Sequence, residues 1–505
     1  MLKVFKKNHE SNHQNDLYII FTILIAIRYA VKIYQELFKS RMPLFLLGGI
    51  MPDLPNIIFI IVDCLRQDYA DPLEETLSKY GFVYYKNAIT AAPWTIPSHA
   101  SIFTGLYPTF HGVHETPKKK LPHIKFRRRH ETIYEKLKKY GYETFLISSN
   151  PMLSPQFGFS GFDHTYITWR GPPQLLSSDA IKKIRPFMQD SNLSLSLIKK
   201  IAFTVDGALF FKAGMQFVLN RLVGYVHSMA GGWPLEKGSK LILKVVKKIF
   251  SEEPKNPLFI FMNFMEAHEP YLLQSYFIRA RKINLKRRGG LSDKLVRKWR
   301  TLYAREVNYL SNRISELISL LKKRNKFDES LIIVTSDHGQ LLGEYGRIGH
   351  AVFLYDELLR VPLFVKYPSS QRVKLTDPTG KWICLTSTKP LIEKIVNNEL
   401  NDDNVLYSDT VFSESYGVEI ELKANSKTEL ENLRELEKHR IAVYYKQFKF
   451  VFNATDQKLE EAISYDKSRR PTPSDVIHAE NKIKRYLRLS RAIRKFRRKV
   501  QKRAA

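Results

Sequence analysis

Residues 56 to 63 read Asn56-Ile57-Ile58-Phe59-Ile60-Ile61-Val62-Asp63, an unbroken apolar, β-branched run that ends in an acid. A strand that is apolar at every position, and not only at alternate ones, is covered on both faces, as in a parallel sheet with helices above and below. Similar runs recur at Thr144–Ser149, Leu258–Met262 and Leu331–Ser336, with helical spacing between them at Glu131–Tyr140 and Leu302–Lys323. Strands alternating with helices predict an α/β fold with a large, mostly parallel sheet flanked by helices. Later runs are shorter, with Arg440–Tyr445 and Phe448–Phe452 the clearest, and predict a smaller C-terminal α+β subdomain. The expected division is an apolar and basic N-terminal helical segment (1–52), a main α/β domain with helical insertions at 174–250 and 275–300 (53–375), the C-terminal subdomain (376–475) and a basic amphipathic tail (476–505).

The chain has 505 residues, 44% of them hydrophobic and 26% charged, which excludes disorder, collagen and a polytopic membrane protein. Two cysteines, Cys64 and Cys384, exclude a disulfide scaffold and a cysteine-based zinc module. The balance of 81 Lys+Arg against 50 Asp+Glu gives a formal charge of +31 and predicts anionic partners. Charge alone does not choose among nucleic acid, an acidic membrane and a phosphorylated or sulfated substrate.

The two ends carry membrane signals of different strength. Leu17–Ile27 is apolar but stops at Arg28, short of the roughly 18 residues that mark a spanning helix. Ala26-Ile27-Arg28 is a poor cleavage site, so no cleavable signal peptide is expected, and the location reads as cytoplasmic or peripheral to a membrane. From Asn481 onward basic residues dominate, while Tyr486, Leu489, Ile493, Phe496 and Val500 recur at spacings of three and four. That is an apolar stripe on a cationic helix, suited to an anionic lipid surface or to solvent. No motif supports a specific nucleic-acid partner.

In open parallel sheets ligands sit beyond the carboxyl ends of the strands. The polar residues there are Asp63, Glu266, His268, Asp337 and His338. Two carboxylates and an imidazole suit a divalent zinc or manganese ion. Thr95 precedes Ile96-Pro97-Ser98-His99 at the start of a helix of small residues. Its hydroxyl reads either as an N-cap or, beside a metal, as a nucleophile.

These motifs together resemble the sulfatase family of the alkaline phosphatase superfamily. The matches run in order: Pro55-Asn56 into the first strand with Arg66; Thr95-x-Pro97-Ser98-His99 with Thr104-Gly105-Leu106-Tyr107-Pro108 and His111-Gly112; Glu266-Ala267-His268-Glu269-Pro270-Tyr271; Ser336-Asp337-His338-Gly339; Gly349-His350; and Phe412-Ser413-Glu414-Ser415 in the C-terminal part. The resemblance implies that Asp63, Asp337 and His338 hold the metal with Thr95 as ligand and nucleophile. It implies that His268 and His350 contact the transferred group or the leaving oxygen, with Glu266 a weaker candidate for a second ion.

The departures from the pattern point to a different chemistry. Sulfatases convert Cys or Ser at the nucleophile position to formylglycine; Thr95 stands there, so no formylglycine is expected. The usual second acid is Cys64, and the usual arginine is His99, which takes its place in the catalytic set. These changes resemble the threonine nucleophiles of nucleotide pyrophosphatase/phosphodiesterases and of phosphoethanolamine or lipoteichoic-acid transferases. The expected function is metal-dependent hydrolysis of a phosphate mono- or diester or a phosphonate, with sulfate ester still open. Zinc or manganese is favoured, with calcium open, and the expected substrate is an anionic ester on a glycan or lipid. Two further readings stand beside it: a membrane-proximal phospho-group transferase, and a non-catalytic basic binding module.

Overall fold

The computed structural model describes residues 54–126, 130–169, 207–212, 214–215, 218, 236–271 and 291–504, with side chains as far as residue 493. The N-terminal segment, most of the first insertion and the Lys286–Arg288 run fall outside the described residues. The chain divides between Leu54 and Pro55 into two units, and the described fold is that of the second.

Seven strands make the main sheet: β1 (Ile57–Val62), β2 (Val83–Tyr85), β3 (Glu143–Ser148), β4 (His164–Ile167), β5 (Leu258–Phe264), β6 (Leu331–Thr335) and β7 (Leu363–Lys366). Their order is β2-β7-β6-β1-β5-β3-β4. Every pairing is parallel except the two made by β7, which runs antiparallel to β6 and to β2. β1, β5 and β6 are buried at every position, as their continuous apolar runs require.

The longer helices in the connections between these strands are α1 (Asp71–Ser78), α2 (Thr95–Thr104), α3 (Ile133–Lys139), α4 (Ser239–Ser251) and α5 (Asp293–Lys323). α3 opens on a capping box between Thr132 and Glu135. α5 begins at Asp293, not at Leu302, because the Ser292 side chain accepts a hydrogen bond from the Leu295 N–H and caps it earlier. Its Trp299, Tyr303, Val307, Leu310, Ile314, Leu317 and Leu321 form one buried stripe against the sheet, in the same core as Ile58, Ile60 and Ile332. Each such side chain, fully buried, contributes about 1.5–3 kcal/mol.

The C-terminal sheet is an antiparallel meander of β8 (Thr410–Ser415), β9 (Arg440–Tyr445), β10 (Phe448–Asn453) and β11 (Lys458–Ser464). The chain before it is tied to the main domain, since Trp382–Cys384 pairs in parallel with Ala88–Ile89. Over this sheet lies α6 (Pro473–Ala504), whose first turn is closed by Thr472 and Asp475 exchanging backbone and side-chain bonds.

α6 corrects one expectation. Its N-terminal half is not a detached tail: Ala479, Ile483 and Tyr486 are buried with Ile441, Val443, Phe448 and Phe450. The Tyr486 hydroxyl donates to Glu414 Oε1 at 2.5 Å, and Ser490 Oγ lies 3.0 Å from Thr109 Oγ1. The apolar stripe therefore begins by covering a sheet face, while Leu489 stays 54% exposed. Among the described residues no helix is long and apolar enough to cross a membrane. Ile483→Ala should lower the unfolding free energy by about 2–4 kcal/mol in a denaturant titration. Leu489→Ala, on the exposed side of the same helix, should stay within about 0.5 kcal/mol of the parent.

Candidate active site

The sheet places the first two groups. β1 and β6 are parallel neighbours with Ile61 opposite Thr335, so Asp63 and Asp337 leave the sheet side by side. Asp63 N–H still donates to the Phe264 carbonyl at 2.8 Å, one residue past the end of β1. Cys64 then turns the chain away with a φ of 65°. That turn is held from outside: the Cys64 N–H donates to Asp337 Oδ1 at 3.3 Å, and the Tyr303 hydroxyl on α5 donates to the Cys64 carbonyl at 2.8 Å. On the other strand, Thr90 and Ser98 hydroxyls donate to the Asp337 carbonyl at 2.5 and 2.7 Å.

Thr95 is the first residue of α2, and Trp94 takes the N-cap position, so the N-cap alternative for Thr95 does not hold. Its hydroxyl is thereby not spent on capping the helix. Thr95 Oγ1 lies 3.4 Å from His338 Nε2 and 3.5 Å from Asn150 Nδ2. His338 Nδ1 faces the Gly339 carbonyl at 2.9 Å, which keeps the proton on Nδ1 and turns the Nε2 lone pair inward. Asn150 Nδ2 also donates to Asp63 Oδ2 at 2.7 Å, and Asn263 Nδ2 donates to the same oxygen at 3.2 Å. Both asparagines stand at strand ends, Asn150 just after β3 and Asn263 next to the last residue of β5. The strand-end rule applied to every strand would have found them.

A second group of donors adjoins the first. Ligand atoms of Cys64, His268, Glu269 and His350 lie within 4.8 Å of one another, and Asp63, Cys64 and His338 meet the same condition. Cys64 Sγ is 3.8 Å from His338 Nδ1 and 3.8 Å from His350 Nδ1. The His268 and His350 rings sit edge to face with centroids 5.2 Å apart. Gln340 joins them, with Nε2 donating to Glu269 Oε2 at 2.5 Å and Oε1 2.8 Å from His350 Nδ1. Glu266 is not among these donors. Its Oε1 accepts the backbone N–H groups of Lys237 and Ser239 at 3.1 and 3.0 Å, so it faces α4. Glu269, three residues on in the same loop, occupies the place expected of it.

His99 lies behind the carboxylates. Its Nδ1 donates to the Thr95 carbonyl at 2.9 Å and is 3.6 Å from Asp337 Oδ2, while its ring is enclosed by Phe103, Phe159 and Phe261. Burial pulls its pKa down to about 4, and burial does the same to His338. Arg66 serves the scaffold: it pairs with Asp68 and Glu344 and donates to the Gln340 carbonyl.

The two carboxylates are both fully buried. Burial, then the neighbouring Asp63 charge, pushes the Asp337 carboxyl well above its usual range. Asp63 is driven up by burial too, but His268, His338 and the Asn150 amide outweigh that and hold it below its ordinary value. Asp63 Oδ1 and Asp337 Oδ2 find no hydrogen-bond partner among the described residues. Two buried acids that cannot both be charged, each with an orphaned oxygen beside an inward imidazole nitrogen, fit a divalent cation. Asp63, Asp337, His338 and Thr95 would hold it.

Adding zinc or manganese should therefore raise the melting temperature, with about 2.7 kcal/mol of stabilisation at a hundredfold excess over the dissociation constant. Asp337→Asn should lose that response yet unfold, without metal, no earlier than the parent, because a neutral amide replaces a group whose charged form burial and Asp63 already disfavour.

Known proteins resemble this chain in sequence and in fold. The sulfatase family profile matches residues 55–389. An arylsulfatase of Clostridium perfringens is 21% identical over 63% of this chain and 69% of its own length. An N-acetylglucosamine-6-O-sulfatase of Bacteroides thetaiotaomicron is 32% identical over 18% of this chain and 17% of its own. Among solved structures, the phosphonate monoester hydrolase of Silicibacter pomeroyi superposes with a TM-score of 0.54 at 18% identity, covering 88% of this chain and 95% of that one. The phosphonate monoester hydrolase of Agrobacterium radiobacter gives 0.53 at 15% identity, covering 87% and 95%. Those two likenesses show the fold. The family match across most of the main domain settles the membership: the chain belongs to the sulfatase family, metal-dependent ester hydrolases of the alkaline phosphatase superfamily.

Proposed function

We propose that this protein hydrolyses a phosphate mono- or diester or a phosphonate, with Thr95 as nucleophile and a covalent phosphothreonine intermediate. The observation that carries the reading is the Thr95 hydroxyl, uncommitted to helix capping and lying 3.4 Å from His338 Nε2 and 3.5 Å from Asn150 Nδ2. A formylglycine hydrate carries two hydroxyls and can expel sulfate by re-forming its aldehyde. Threonine has one hydroxyl, so its ester must be opened by attack at the central atom, a route that suits phosphorus. Solved structures named as phosphonate monoester hydrolases share the fold, as do ones named as sulfatases, so the fold is compatible with either ester.

A divalent cation held by Asp63, Asp337 and His338 supplies a lowered hydroxyl pKa and neutralises charge on the phosphoryl oxygens. The protein's own groups do the rest. Thr95 Oγ, its hydroxyl proton released to water, attacks phosphorus opposite the ester oxygen, the P–O bond to the leaving group breaks, and a proton from His268 reaches the departing oxygen. Water then attacks phosphorus and gives a proton back to His268, the Thr95 Oγ–P bond breaks, and phosphate or phosphonate leaves. Asn150 keeps the Asp63 carboxylate and the nucleophile in register.

Zinc or manganese suits the nitrogen and carboxylate donors, and the Cys64 thiol in the adjoining group favours zinc for any second ion. The +31 charge favours an anionic ester, on a glycan or a lipid, over a neutral one. The basic α6 is the element through which the chain would meet an anionic membrane.

Nitrophenyl phosphate, phosphodiester, phosphonate and sulfate should be compared with zinc, manganese and calcium. Phosphoester or phosphonate turnover that needs zinc or manganese, falls by roughly 10³ or more in Thr95→Ala and survives in Thr95→Ser is the expected result. Turnover of sulfate alone would overturn the reading. His268→Ala should cost about 10²–10⁴ on an alkyl leaving group and much less on nitrophenol, which needs no proton to depart.

A further inference from the structure

The loop after β5 carries His268 and Glu269, and every carbonyl in its turn is claimed. The Tyr271 hydroxyl donates to the Ala267 carbonyl at 2.8 Å, and His268 Nδ1 donates to the Glu269 carbonyl at 2.6 Å. The two remaining carbonyls, those of Glu266 and His268, each accept from one atom: Lys237 Nζ, at 2.6 Å in both cases. The Lys237 side chain is fully buried, over the Tyr271 ring and 3.5 Å from Glu306 Oε1 on α5.

Lys237 is itself fixed at its base. Its N–H donates to Glu266 Oε1, as does that of Ser239. Glu236, one residue earlier, accepts the Tyr309 hydroxyl of α5 at 2.5 Å and the N–H groups of Gly238 and Lys240 at the start of α4. The lysine is thus clamped between α4, α5 and the loop. A buried side chain of this length is expensive to order and to desolvate, and here its two short hydrogen bonds go to the carbonyl two residues before His268 and to that of His268 itself.

From this arrangement we infer that Lys237 is the positioning residue for His268, holding the backbone on both sides of that imidazole so that its Nε2 faces the reacting group. The inference rests on the role proposed for His268 in the hydrolase reading. It adds a residue outside the strand ends, from the chain that leads into α4.

Three consequences separate positioning from mere packing. The test pairs Lys237→Met with Glu306→Gln, so that no buried acid is left uncompensated. First, this double variant should keep KM within about twofold and lose about 10- to 100-fold in kcat on an alkyl phosphoester, the effect of a small misplacement. Second, the loss should vanish in a His268→Ala background, because a group that acts through His268 has nothing left to act on. An equal loss in both backgrounds overturns the inference while leaving the hydrolase reading intact. Third, an arm independent of turnover records the imidazole ¹⁵N resonances of the holoprotein. The His268 signals, identified by their absence in His268→Asn, should shift in Lys237→Met/Glu306→Gln. Unshifted signals overturn the inference even if no substrate in the panel is turned over, a result that would by itself count only against the hydrolase reading.

Discussion

The repulsion between two buried carboxylates is the constraint around which the rest of the site is arranged. It follows from the parallel sheet. Ile61 sits opposite Thr335, and two residues on, Asp63 and Asp337 emerge together, both shielded from solvent. Two full charges there would oppose each other at low dielectric, where taking each ion out of water costs several kcal/mol. The surroundings answer asymmetrically. Asp63 receives two side-chain amides, from Asn150 and Asn263, whereas Asp337 receives the N–H groups of Cys64 and His338 on one oxygen, and its other oxygen has no hydrogen-bond partner among the described residues. Such a pair is stable with one proton or with one cation, and the inward Nε2 of His338 favours the cation.

Cys64 shows how much structure is spent on that geometry. A non-glycine residue in the left-handed region costs on the order of 1–3 kcal/mol and persists only where its neighbours over-determine it. Its φ of 65° is held by the Tyr303 hydroxyl on its carbonyl and by Asp337 on its N–H. The result is a thiol facing both His338 and His350, at the seam between the two donor groups. Burial, and then the charges of Asp63, Glu269 and Asp337, push that thiol well above its usual pKa in the absence of a cation. A carboxylate here would have added a third negative charge to an already crowded pocket. The thiol keeps the same place without doing so.

The central strands were legible because burial on both faces leaves a signature that survives any loop: β1, β5 and β6 lie within two residues of their expected ends. Asp63, Asp337 and His338 were legible for the same reason, as the residues that end those strands. What escaped depends on where a chain turns after it leaves the sheet. Glu266 and Glu269 are equally good acids in one loop, and only the bonds from Lys237 and Ser239 decide which faces α4 and which faces the histidines. Asn150 escaped because a neutral amide is not read as chemistry, although its position after β3 is the same kind as that of Asp63. The stripe on α6 was seen, but amphipathicity states only that a face must be covered. The C-terminal sheet covers its first half.

The division between net charge and local charge bears on what the site can accept. The chain carries +31 overall, which raises the local concentration of anions over distances up to the Debye length, about 8 Å at physiological salt. Within the pocket the sign reverses, because Asp63, Asp337 and Glu269 are all buried at the same end of the sheet as the Thr95 hydroxyl. An anionic ester drawn in by the first field meets the second at short range, where screening is weak. Burial, with the neighbouring histidines, keeps His350 well below its usual pKa, and His338 falls to about 4, so these two imidazoles add no positive charge. A cation on the carboxylate pair would supply the positive charge that these two do not. The reading proposed for Thr95 therefore depends more on occupancy of the carboxylate pair than on the surface charge.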